Sequence, residues 1–128
     1  MNNHVEFGFG FIPGYVHQIA SVQSEPETNL SHWQLIKVRD SDGKFSRHLA
    51  GRADGEGRVS TDIVSIDVIQ LRATTKSGRV YVLGQTGRDG DAVWLFAKWL
   101  KANQFTSHAD QTRALMRLRA RKMSKHEH

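Results

Sequence analysis

Ile69-Gln70-Leu71-Arg72-Ala73-Thr74-Thr75-Lys76-Ser77-Gly78-Arg79-Val80-Tyr81-Val82-Leu83 reads as two short strands around a polar turn. Ile69, Leu71 and Ala73 keep one parity, as strand residues facing a core do, and Arg79 to Leu83 is rich in β-branched and aromatic residues. Between them Thr75-Lys76-Ser77-Gly78 supplies a tight turn with a glycine free to take positive φ. After Leu83 the apolar period changes from two to about 3.6. Phe96, Leu100, Val93 and Ala92 then fall on one helical face, with Asp91, Lys98 and Lys101 on the wet edge. Asp89 or Gly90 is placed to cap this helix and Asn103 to stop it. A hairpin running into helices, with no strand–helix alternation, indicates an α+β fold.

Working upstream, residues 59–73 are too long and too phased for one strand. Val64, Ile66 and Val68 keep the opposite parity from Ile69, Leu71 and Ala73, which implies a bulge or tight corner between Val68 and Ile69. Segments 33–39 and 44–50 flank a second hairpin turn, Asp40-Ser41-Asp42-Gly43. Residues 23–31 read as a loop, as do Gly51, Gly55 and Gly57 with Asp54 and Glu56. Phe7, Phe9 and Phe11 alternate with Gly8 and Gly10 along a strand that Pro13-Gly14 ends. Downstream, Ser107-x-x-Asp110 reads as a capping box opening a last helix that runs to about Met123. The expectation is an antiparallel β-meander of about five strands, hairpins at 40–43 and 75–78, and C-terminal helices over about 90–102 and 108–123. Residues 1–105 would form one domain, and 106–128 a basic helix and tail.

With 128 residues, 38% of them hydrophobic, the chain has apolar material for one core and is short for a two-domain enzyme. The absence of cysteine rules out disulfides, thiol nucleophiles and cysteine-ligated metal sites. No apolar run approaches a membrane span, and Met1 to Val5 lacks the layout of a signal peptide, so a cytoplasmic address is expected. The formal charge of +5 is unevenly spread: six cations face two carboxylates from Asp110 onward, against twelve and eleven before it. The basic element is the C-terminal segment, attached to an almost neutral body.

Phe7-Gly8-Phe9-Gly10-Phe11-Ile12 resembles the central strand of the RNA-recognition motif, whose aromatics stack bases. Phe7 stands where that strand has a basic residue and Gly14 where it has its last aromatic, and no β-α-β unit precedes it. The segment therefore reads as a core strand whose glycines admit a close neighbour. Gly84-Gln85-Thr86-Gly87-Arg88-Asp89-Gly90 lies between strand and helix, where backbone amides can hold a phosphate, but it lacks the Walker and dinucleotide spacings. Asp89 and Asp91 would repel an anion there, so a structural turn is expected. His4, His17, His32, His48 and His108 are scattered, and His126-Glu127-His128 is an isolated close set; no metal site or other cofactor is expected. Asp40-Ser41-Asp42-Gly43 lacks the later ligands of a calcium loop. No Gly-x-Ser-x-Gly elbow is present, and only the loop carboxylates Asp54, Glu56, Asp62 and Asp67 offer an acid/base pair.

On the last helix Arg113, Arg117 and Arg121 recur every four residues and share a face, with Arg119 and Lys122 beside them. Ala109, Met116, Ala120 and Met123 form a neighbouring stripe by which the helix would dock. The leading expectation is a non-enzymatic binding protein whose arginines contact nucleic acid or a nucleoprotein complex. A second is a small inhibitor or adaptor, a monomer or a homodimer, that binds a host protein through a sheet edge or through Trp94, Lys98 and Lys101. In kind, such a cysteine-free, motif-poor chain resembles the accessory and anti-defence proteins of phages and mobile elements. A small hydrolase or transferase using the loop carboxylates is the third.

Overall fold

A computed structural model describes the backbone of residues 7–9, 16–18 and 26–126 and the side chains of residues 26–125. The expected facing of Phe7, Phe9 and Phe11, and the loop at residues 23–25, lie outside those side chains. The elements are β1 (Phe7–Phe9), β2 (Val16–Gln18), β3 (Glu27–Arg39), β4 (Phe45–Ala53), β5 (Glu56–Val59), β6 (Ile63–Asp67), β7 (Arg72–Thr75), β8 (Val80–Leu83), α1 (Gly90–Ala102), β9 (Ser107–Asp110) and α2 (Thr112–His126). Among the described residues the strands run in the order β2-β1-β5-β4-β3-β8-β7-β6, with β9 joined to β3. The fold is α+β, as the change of period indicates. Both hairpins form, with Arg39 opposite Phe45 and Thr74 opposite Val80, and Gly43 and Gly78 adopt φ of +82° and +94°. The phase slip is a tight corner between β6 and β7, where Leu71 itself takes φ +54°.

The sheet is mixed, since β3 and β8 run parallel, and the expected antiparallel meander is roughly compatible with it. Two readings need correction. Residues from Glu27 onward are strand, not loop: Thr28 and Leu30 are buried while Glu27 and Asn29 face solvent, but two inward residues are too weak a pattern to recognise alone. Gly51 and Gly57 lie inside β4 and β5, not in a loop. A Cβ on Gly51 would sit 2.9 Å from the Ser31 carbonyl oxygen, and one on Gly57 would sit 2.5 Å from the Ala92 amide nitrogen. Glycine is there so that backbone can touch backbone.

The long strand β3 organises the sheet through a bulge between Ser31 and Gln34, where His32 takes φ +47°. One extra residue reverses the alternation, so that Leu30, Trp33 and Leu35 all enter the same core. Across the bulge β3 also changes partner on one edge, from β8 at Glu27 to Leu30 to β9 at Ile36 to Arg39. The first core gathers Leu30, Trp33, Leu35, Leu49, Tyr81 and Leu83; the second, on the other face, joins Ile36, Val38, Ala50 and Val59 to α1.

Helix α1 is capped by Asp89, whose carboxylate accepts from the Ala92 amide at 2.9 Å, and stops at Asn103. Arg52 on β4 ties this end to the sheet, with Nε 2.5 Å from Asp89 and Nη2 2.6 Å from Asp91. The helix N-terminus is thus occupied by the chain's own carboxylates, as the 84–90 turn implies. The buried face is Ala92, Leu95, Phe96 and Trp99, while Val93 and Leu100 are only half-buried. That turns the helix from the face expected, because Gly57 seats the Asp91–Ala92 backbone on β5 and Trp99 rests on His48 with ring centroids 4.4 Å apart.

His48 is buried with both ring nitrogens bonded: Nδ1 lies 3.0 Å from the Ser60 carbonyl and Nε2 2.7 Å from the Ser46 hydroxyl. A carbonyl only accepts, so Nδ1 carries the hydrogen and the Ser46 hydroxyl donates to Nε2. Burial lowers the pKa of the ring from its ordinary 6.5. The unfolded chain then takes up a proton that the folded one refuses, so this stabilisation is present above 6.5 and is lost as pH falls through that value toward the lower folded pKa. Urea melts at stepwise lower pH should show the midpoint falling below neutrality, and His48→Gln should flatten that slope. An unchanged slope would assign it elsewhere.

Candidate nucleic-acid interface

The last helix is rooted in β3. Residues 107–110 are not its first turn, as the capping-box reading had it, but strand β9, paired antiparallel to Ile36 through Arg39. The helix begins at Thr112, where Asp110 Oδ1 accepts from the Thr112 amide at 2.9 Å and hydroxyl at 2.6 Å. Gln34 donates to the other Asp110 oxygen at 2.9 Å. Partial burial would raise the Asp110 pKa, but the bonds from Thr112 and Gln34 and the nearby Arg113 outweigh it and hold the carboxyl below its ordinary value. Two further bonds lock the junction: the Gln111 amide to the Leu35 carbonyl at 2.7 Å, and the Leu35 amide to the Thr112 hydroxyl at 2.9 Å.

Beyond that root, Leu115 enters the first core and Met116 packs against it. Arg119 turns inward, its Nε donating to the Ile69 carbonyl at 3.2 Å. The docking stripe is therefore Leu115 with half-buried Met116, Leu118 and Arg119; Ala109, Ala120 and Met123 are exposed. Leu115 and Leu118, spaced i, i+3, are the sequence signal that identifies this face.

On a helical wheel, at about 100° per residue, Arg113 and Arg117 lie opposite Leu115. Arg113, Arg117, Arg121 and Lys122 are all exposed. Among the described residues, the ion pairs within 4 Å join Arg52 to Asp89 and Asp91, Arg58 to Asp54 and Glu56, and Arg72 to Glu27; none takes a cation from α2. The structure thus brings Arg113, Arg117 and Arg121 onto one outward face, and separates Arg119 from them as a tether.

Trp94 sits on the outer side of α1, 39% exposed, with Lys98 Nζ 4.5 Å from its ring centroid. Lys101 is exposed on the last turn. A cleft of about 180 Å³ between α1 and β9 is lined by Gln34, Ile36, Arg88, Phe96, His108 and Asp110, among others. Of the loop carboxylates, Asp54 and Glu56 converge on the buried Arg58 guanidinium at 3.3 and 3.6 Å. Asp62 instead accepts from the Arg47 amide and Asp67 from the Gln70 amide. Asp40 Oδ1 closes its own turn by accepting from the Asp42 and Lys44 amides.

Set beside family models, curated proteins and solved structures, the chain matches none. Among the described residues no three His, Asp or Glu side chains are grouped to hold a metal ion, and no helix is long and apolar enough to cross a membrane.

Proposed function

We propose that this protein binds nucleic acid, alone or within a nucleoprotein complex, through the outward face of α2. The observation that carries this reading is the row Arg113, Arg117 and Arg121, exposed and outside every ion pair among the described residues. Guanidinium groups spaced one helical turn apart meet successive phosphates, and their planar donors suit phosphate oxygens. The anchoring of α2 through Leu115, Arg119 and the Asp110–Thr112 junction supports it further, since a helix ordered before binding costs less to dock. Binding of labelled duplex and single-stranded oligonucleotides should weaken linearly, on logarithmic axes, as salt rises from about 50 to about 200 mM. Binding that is absent or indifferent to salt would refute the reading.

A second reading is favoured by Trp94, an exposed indole on α1. In an adaptor it would be the anchor for a protein partner, flanked by Lys98 and Lys101. Trp94→Ala should then abolish capture of that partner while oligonucleotide binding is unaffected. Capture that instead fails only when α2 is neutralised assigns the contact to the arginine face.

A further inference from the structure

The end of the sheet at the 40–43 hairpin carries an exposed aromatic that the packing does not use. Register pairs Leu35 with Leu49, Lys37 with Arg47 and Arg39 with Phe45, so these six side chains alternate onto one face of β3 and β4. Leu35 and Leu49 belong to the first core, and the remaining four continue its face outward into solvent. Phe45 is 58% exposed, with Lys37 Nζ 4.1 Å and Arg39 Cζ 5.6 Å from its ring centroid. An open hollow of about 440 Å³ lies at its foot, lined by Lys37, Phe45, Arg47, Asp62, Ile63 and Gln111. Its volume falls in the roughly 300–1,000 Å³ range of small-ligand sites. Gln111 is also the residue that delivers the chain into α2, so the hollow adjoins the root of the arginine face.

We infer that this platform is a base-stacking subsite for a single-stranded nucleic acid whose backbone follows the arginines of α2; the inference rests on the nucleic-acid reading of that helix. Charge complementarity selects the occupant. An aromatic ring among Lys37, Arg39 and Arg47 fits a ligand that is itself flat, aromatic and anionic. Lys37 and Arg39 both lie over the Phe45 ring, whose 58% exposure leaves ring area open to a base, and the same two cations reach its phosphates. Asp62 and Gln111 supply acceptor and donor groups for the base edge. A paired duplex keeps its bases stacked inside and cannot present one to Phe45, so the platform distinguishes single strands from duplex. An apolar protein anchor would gain little from three cations at the rim.

The test uses the full chain with fluorescein-labelled oligo(dT) and a duplex of equal length, read by anisotropy. Phe45→Ala is expected to weaken oligo(dT) binding by about tenfold, the order of one lost base stack, and to leave duplex binding unchanged. Phe45→Trp should restore the single-strand affinity. Because the ring is exposed, both variants should keep the parent urea midpoint. If the parent protein binds with steep salt dependence and Phe45→Ala changes nothing, or weakens both probes equally, the subsite is refuted while the α2 reading stands. If the parent binds neither probe, the α2 reading fails and takes the subsite with it.

Discussion

Replacing Arg113, Arg117 and Arg121 together by glutamine is expected to lower the salt slope of duplex binding by about 2.7, the contribution of three neutralised phosphates. The affinity lost should be greatest at low salt and should shrink as salt rises, because the missing contribution is itself the released counterions. The fold should not change. The three side chains are exposed and hold no ion pair among the described residues. Asp110 keeps its larger stabilising bonds from Thr112 and Gln34 when Arg113 is neutralised, and the anchors Leu115 and Arg119 are retained. The same substitution at Arg119 is predicted to act differently: its Nε is engaged with the Ile69 carbonyl, so its loss loosens the helix before it alters the slope. A triple variant whose slope equals the parent's would show that the row contacts no phosphate.

Trp33→Ala is expected to destabilise the protein by about 3–5 kcal/mol, the range for emptying a large aromatic from a core. Leaving the Gly84 carbonyl without its partner adds about 1 kcal/mol. Trp33 is fully buried, and its indole Nε1 donates to that carbonyl at 2.9 Å. Its backbone carbonyl also accepts from the Gly87 amide at 3.2 Å, so the residue joins the β3 bulge to the loop before α1. Against a total stability of about 5–15 kcal/mol, such a loss is decisive. Denaturant titration measures it directly. Trp33→Phe, which keeps most of the volume but not the N–H, should recover more than half. A cost below about 1 kcal/mol for the alanine variant would mean that the cavity collapses and that the bend is held by other contacts.

Much of the candidate interface was legible in advance. Four-residue spacing places Arg113, Arg117 and Arg121 on one helical face whatever the tertiary context, because the helix period alone determines it. The inward turn of Arg119 was not legible, since it depends on the Ile69 carbonyl being presented by a corner some fifty residues earlier in the chain. Phe45 illustrates the converse. In the sequence it looks like any strand aromatic awaiting a core, and only the length of β3 and β4 beyond Leu35 and Leu49 leaves it in solvent.

Features set by neighbours a few residues apart were decided by the chain alone: the turns at 40–43 and 75–78, the corner after Val68, the Asp89 cap and the Asn103 stop. Each depends on local φ, a nearby hydrogen bond or a short apolar period, none of which needs a distant partner. Tertiary structure decided the rest. Residues 27–31 and 107–110 become strands because β8 and β3 offer them unpaired backbone, although their own side chains give little preference. Gly51 and Gly57 enter the sheet because other backbone segments press against them, and α1 rotates toward Trp99 for the same steric reason. A short segment carries too little burial to choose its own state, so the choice passes to whichever surface lacks hydrogen-bond partners and apolar cover.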